Sequence, residues 1–224
     1  MARRRSEFTV VVLLLGACSS AVVPIEASCP RSPFQRDVPL VIAHASGNSV
    51  SPSNSMYALE AAVKMGADVL GLDVRMTSDG VVVARHDREL STTTDGTGAV
   101  DETPWAEVAA LYASVNWTGT THDEPIGIPR LDEVLAAFPD MPFSIEIKQT
   151  VPTMADELCD AIERTDSADR VFVSSNVDEA VNGFHNVCPD VLMTTVAMAG
   201  VDGVSTDRPD LARQIFDELA DNER

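Results

Sequence analysis

Short apolar, β-branched runs alternate with amphipathic stretches from Val38 almost to the end of the chain. The runs fall at Leu40–Ala43, Val69–Val74, Val81–Ala84, Pro142–Lys148, Arg170–Ser174, Val191–Val196 and Gly203–Thr206. Helical periodicity separates them: from Asn54 or Ser55 to about Met65, from Thr103 to about Leu111, then Leu131–Phe138, Thr153–Arg164, Val177–Val187 and Pro209–Leu219. Strands alternating with helices predict a parallel α/β sheet. The short crossovers favour a barrel over an open sheet. A length of 224 residues makes one domain the default.

Charged residues interrupt this apolar pattern at few places. Gly66 to Asp87 reads as strand, turn, strand, with Asp73 inside the first run and His86-Asp87 at the end of the second. Ser78-Asp79-Gly80 is the turn. In Phe143-Ser144-Ile145-Glu146-Ile147-Lys148 the period of two puts Glu146 and Lys148 on one face, a pattern that an exposed edge strand would share. His44 closes the first run. A buried charge without a partner is costly, and α/β barrels carry their chemistry at the carboxyl ends of their strands.

Residues 1–17 read as a signal peptide, with Arg3, Arg4 and Arg5 ahead of an apolar Phe8–Leu15 run too short to span a bilayer. Leu15-Gly16-Ala17-Cys18 resembles a bacterial lipobox, with Cys18 as the lipidated residue. An ordinary secretory signal cut near Ala27 or Ser28 is the alternative. Residues 18–37 read as a tether and 38–224 as the folded domain. These expectations place the mature protein outside the cytoplasm, lipid-anchored to a bacterial cell membrane, where disulfides persist. A Cys159–Cys188 bridge with Cys29 free is one possible pairing. The net charge of −19 argues against nucleic acid and against anionic headgroups as partners. His122, in the long Tyr112–Gly127 loop, and His185 read as surface residues, with lining of a substrate entrance as the alternative for His122.

With His44, Asp73, His86-Asp87 and Glu146-Ile147-Lys148 on successive strand ends, the chain resembles the glycerophosphodiester phosphodiesterases. Further landmarks are Pro52-Ser53-Asn54-Ser55, Gly66-Ala67-Asp68, Thr77-Ser78-Asp79-Gly80, Ile128 to Leu135, and Gly200 to Pro209. The resemblance implies a TIM-type (β/α) barrel that hydrolyses glycerophosphodiesters to glycerol 3-phosphate and an alcohol. It implies His44 and His86 as general acid and base, Asp73 and Glu146 as ligands of a divalent cation (calcium or magnesium), and Lys148 beside the phosphate. Asp87, by adjacency, would orient His86.

The chain departs from the family pattern at Ala45, where an Arg is usual, at Ser53, where a Glu is usual, and at Gly71, where the first metal-binding Glu belongs. Only four residues separate Val196 from Val201, too few for a parallel crossover. Hence the barrel is expected to miss one β/α unit near residues 196–201. A phosphodiesterase with a weakened cation site is the leading expectation. A catalytically impaired, membrane-anchored phosphodiester-binding lipoprotein is the alternative, identified by an inactive wild type whose turnover Gly71→Glu restores.

Overall fold

Alternation within each strand decides which residues meet the helices and which meet one another. In a computed structural model, which describes residues 33–34, 39–47, 51–113, 115, 117, 125–195 and 203–222, the strands are β1 (Leu40–Ala43), β2 (Val69–Met76), β3 (Val82–Ala84), β4 (Phe143–Ile147), β5 (Val171–Ser175), β6 (Leu192–Thr195) and β7 (Gly203–Thr206). The helices are α1 (Met56–Lys64), α2 (Trp105–Val108), α3 (Leu131–Ala137), α4 (Ala155–Arg164), α5 (Asp178–Val187) and α6 (Pro209–Asn222). Residues 1–17, Cys18, Cys29, His122 and the 196–201 junction lie outside the described residues.

The sheet runs β6-β5-β4-β2-β1-β7 with every neighbouring pair parallel. β3 lies off this path and pairs antiparallel with the end of β2. This is the TIM-type architecture, but its hydrogen-bonded order ends at β6 on one side and β7 on the other. Among the described residues six strands therefore act as barrel staves, and the seventh is the return arm of a hairpin. β4 is central, between β2 and β5, so its charged face is not that of an edge strand.

On the helix side, Leu70, Leu72, Val74, Phe143, Ile145, Val171 and Val173 pack against Leu59, Leu131, Leu135, Leu158, Ile162 and Phe184 from α1, α3, α4 and α5. Each fully buried aliphatic side chain contributes roughly 1.5–3 kcal/mol. Ser55 starts α1 by accepting from the Ala58 N–H at 3.1 Å, satisfying a donor the helix itself cannot. The opposite face carries a second cluster of Leu40, Ile42, Val69 and Phe172, joined by Phe34. Phe34 is 6% exposed and meets the Phe172 ring edge-on at 6.1 Å. The stretch read as a tether thus contributes a core side chain. A lone aromatic among Ser and Pro gave no periodicity from which to infer that burial.

A disulfide joins Cys159 of α4 to Cys188 at the end of α5. Among the described residues no helix is long and apolar enough to cross a membrane.

Candidate active site

Two carboxylates reach one point because β2 and β4 are neighbours in register. Asp73 pairs with Glu146 across the ladder, and Glu146 with Ser174 of β5. Residues two apart share a strand face, so Asp73 and Glu146 continue the faces that carry Gly71 and Ser144. Lys148 Nζ lies 2.7 Å from Glu146 Oε1 and 3.4 Å from Asp73 Oδ1. Asp73 is almost fully buried, which only partners make tolerable. Lys148 is one and Asn54 is the other. The Asn54 amide donates to Asp73 Oδ2 at 2.9 Å, and its oxygen accepts from the Asp73 N–H at 2.9 Å. Asn54 adopts φ +55, a left-handed conformation that Asn enters more readily than most residues. Asn176, just after β5, donates to Glu146 Oε1 at 2.9 Å.

The two histidines sit at strand ends, each beside an aspartate. His44 follows β1, and Asp207 follows β7. Ala43 and Thr206 are register partners, so the next residues meet, with His44 Nδ1 2.9 Å from Asp207 Oδ1. His86 follows β3, with Nδ1 3.0 Å from Asp87 Oδ1. Its backbone is held from two sides. Arg75 Nε donates to the His86 carbonyl at 2.7 Å, and the Arg85 N–H donates to the Asp73 carbonyl at 2.7 Å. The Arg85 side chain is buried and donates to the carbonyls of Asp87, Glu89 and Leu90 and to Thr93 Oγ1. It fixes the loop that leaves His86. Burial lowers the pKa of both arginines, opposed at Arg75 by Asp101, Asp87 and Asp73; both remain cations.

Gly71 is not simply a ligand deleted. A Cβ built there would lie 2.6 Å from the Ala43 carbonyl oxygen and 3.4 Å from His44 Cα. The turn at His44–Ser46 presses onto this point, with Ala45 and Ser46 at φ +44 and +65. Restoring the family glutamate therefore collides with backbone. Ala45 is buried in that turn.

What remains suits a hard cation in kind. Two carboxylates on adjacent strands supply oxygen donors, and magnesium commonly binds through one or two carboxylates, with waters and substrate phosphate completing its shell. Lys148 is the competitor for the same oxygens. Elsewhere, Cys159, Glu163 and Cys188 approach one another, but those two sulfurs are committed to the disulfide.

The structure thus gathers Asp73, Glu146 and Lys148 at one point, sets His44 and His86 on the ends of β1 and β3, and leaves His185 exposed on α5. Sequence reasoning missed Asn54, Arg75, Arg85, Asn176 and Asp207 as partners. Two carried a signal: Asn54 is, with Pro52, a retained residue of Pro52-Ser53-Asn54-Ser55, and Asp207 lies in the closing Gly200–Pro209 stretch. Nothing in the sequence marks Asn176.

Residues 44–196 match the profile of the glycerophosphoryl diester phosphodiesterase family. The chain is 30% identical to a glycerophosphodiester phosphodiesterase of Bacillus subtilis over 72% of its own length and 58% of that protein's. It is 35% identical to one from Caldanaerobacter subterraneus over 61% and 57%. It thus spans less than two thirds of these curated relatives. Among solved structures, it is similar to a glycerophosphodiester phosphodiesterase from Agrobacterium tumefaciens, with TM-score 0.64, 26% identity and coverage of 70% and 66%. A phosphodiesterase of Oleispira antarctica, solved with its product sn-glycerol-3-phosphate, shares the fold at TM-score 0.69 and 21% identity, over 80% and 97%. With retained landmarks running from His44 through Glu146-Ile147-Lys148, the chain belongs to the glycerophosphoryl diester phosphodiesterase family.

Proposed function

We propose that this chain hydrolyses glycerophosphodiesters to glycerol 3-phosphate and an alcohol. The observation that carries the reading is the register match of Asp73 with Glu146, with the Lys148 ammonium against both carboxylates. Lys148 is the cation that meets the substrate phosphate, and Arg75 adds positive charge beside the His86 backbone. His44 and His86 divide the proton work. One takes the proton of the attacking hydroxyl as its oxygen bonds to phosphorus. The other protonates the alcohol oxygen as its bond to phosphorus breaks. Asp87, on Nδ1 of His86, leaves Nε2 for the substrate.

The family generally uses a divalent metal. In this chain Asp73 and Glu146 are the residues that would hold calcium or magnesium. When bound, the cation neutralises charge growing on the phosphoryl oxygens. Two carboxylates and one ammonium sum to a single negative charge, so the cluster still attracts a cation.

The anchored, extracytoplasmic placement through Cys18 belongs to the same proposal, and the Cys159–Cys188 disulfide supports an oxidising compartment. A second reading, favoured by Gly71, is a membrane-anchored lipoprotein that binds phosphodiesters without turning them over. The deciding experiment is hydrolysis of glycerophosphocholine by the mature protein, with and without calcium or magnesium, beside His44→Ala and His86→Ala. Metal-dependent release of glycerol 3-phosphate that both substitutions abolish supports the hydrolase. Binding of glycerophosphocholine without turnover would establish the second reading.

A further inference from the structure

β7 and α6 form the last β/α unit among the described residues. That last unit is pinned with unusual care. Arg213 of α6 donates through Nε and a terminal nitrogen to the Gly66 carbonyl at 3.1 and 3.0 Å, and also pairs with Asp68. Asp68 in turn accepts from the Val41 N–H at 2.9 Å. One arginine therefore ties α6 to the entry of β2 and to β1. At the other end, Arg208 grips Asp210 through two hydrogen bonds, and its N–H donates to Thr206 Oγ1 at 3.0 Å. Between these anchors β7 pairs with β1 along all four of its residues. The product of this fixing is the position of one side chain, Asp207, against His44 Nδ1 at 2.9 Å.

We infer that Asp207 is a positioning residue that holds His44 in the Nδ1–H tautomer, with Nε2 presented to the substrate. The inference rests on the hydrolase reading for its catalytic consequence but not for its geometry. A carboxylate has only acceptors, so an imidazole nitrogen within hydrogen-bond distance of it must be the donor. In the neutral ring the proton then sits on Nδ1, and Nε2 carries the lone pair. His86 and Asp87 repeat the arrangement by sequence adjacency. His44 obtains its aspartate from the far end of the chain, by the closure of β7 on β1. Each histidine thus keeps Nδ1–H on an aspartate and turns Nε2 to the substrate, the atom that takes the proton in the base and gives it in the acid. The strand ends that carry His44, Asp73, His86, Glu146, Asn176 and Asp207 are all present among the described residues.

The test is the nitrogen-15 NMR signature of the His44 ring in the full chain, beside kcat and KM for glycerophosphocholine. Asp207→Asn offers an amide that can donate to Nδ1, so the neutral ring is expected to shift its proton to Nε2. Asp207→Glu should keep the Nδ1–H form. By analogy with orienting aspartates, but with His44 and Asp207 both partly solvated, kcat should fall about 10–100-fold in Asp207→Asn with KM within about threefold. An unchanged tautomer in Asp207→Asn overturns the inference, including the case where only thermal stability drops. A switched tautomer in a chain whose wild type has no turnover upholds the pairing and overturns the hydrolase reading instead.

Discussion

Replacing Gly71 by alanine decides whether this position is a lost ligand or a rebuilt contact. A glycine inside a strand ordinarily costs about 0.5–1 kcal/mol relative to alanine, so a permissive site would gain stability. Here the added methyl would stand 2.6 Å from the Ala43 carbonyl oxygen. That atom is backbone, held in β1 between β2 and β7, and cannot swing aside as a side chain would. Forcing atoms into a filled space costs about 1–3 kcal/mol. The net expectation is a loss of about 1 kcal/mol, or about 2–4 °C in Tm for a domain of this size. Gly71→Glu meets the same backbone and should lose at least as much. Thermal unfolding followed by circular dichroism reads the first effect. Calorimetric titration with calcium and magnesium, on wild type and Gly71→Glu, reads the second. An alanine variant at or above the wild-type Tm would refute the steric reasoning. So would a Gly71→Glu protein that folds normally and binds the cation tenfold more tightly.

Three further outcomes follow from single contacts. Phe34→Ala should lower stability by about 3 kcal/mol, since it empties a buried aromatic site against Phe172; a true tether would lose nothing in a urea titration. Reduction of Cys159–Cys188, which spans a separation of 29 residues, should cost about 3.5 kcal/mol by chain entropy, seen as a lower Tm in reductant that Cys159→Ser/Cys188→Ser reproduces without it. Thr77 Oγ1 and the Trp105 N–H both donate to Asp79, and they hold its carboxyl below the usual value. With the folded pKa depressed, the stabilisation is fully present above the unfolded value of about 3.9 and is lost as pH falls through the folded one. Urea midpoints of wild type and Asp79→Asn should therefore differ by a constant amount at pH 5–7 and converge below about pH 4.

How much of this was legible depends on the range of the interaction. Strand and helix positions follow from local periodicity, and Leu40–Ala43, Leu131–Ala137 and Gly203–Thr206 fall where the pattern puts them. Local signals also place Asp73 and Glu146 on faces, because the period of two is a property of each strand alone. Their meeting needs the register of β2 against β4, which the sequence does not encode locally. The direction of β3, by contrast, follows from a local signal. Ser78-Asp79-Gly80 marks a turn, and a turn that tight can only return the chain antiparallel, so Val82–Ala84 is not a stave. Among the described residues six strands run parallel in the order.

Gly71 and Asp207 are opposite cases of the same limit. Read along the chain, Gly71 is an absence and Asp207 is one acid among many. In the fold, the Ala43–His44 backbone fills the space that Gly71 leaves, and the carboxylate of Asp207 fixes the ring of that same His44. Both contacts converge on the end of β1. The first seats that strand end against β2, and the second ties it to β7. Among the described residues the hydrogen-bonded order is not closed, so β1 relies on its two neighbours for lateral support. Here β1 is clamped from both neighbours, at the residue proposed to move the proton. The two substitutions should therefore not be independent. If Gly71→Ala displaces the His44 turn, the His44–Asp207 hydrogen bond weakens with it, and the double variant with Asp207→Asn should lose less than the sum of the single losses. Additive losses would mean that the two contacts act on separate parts of the fold.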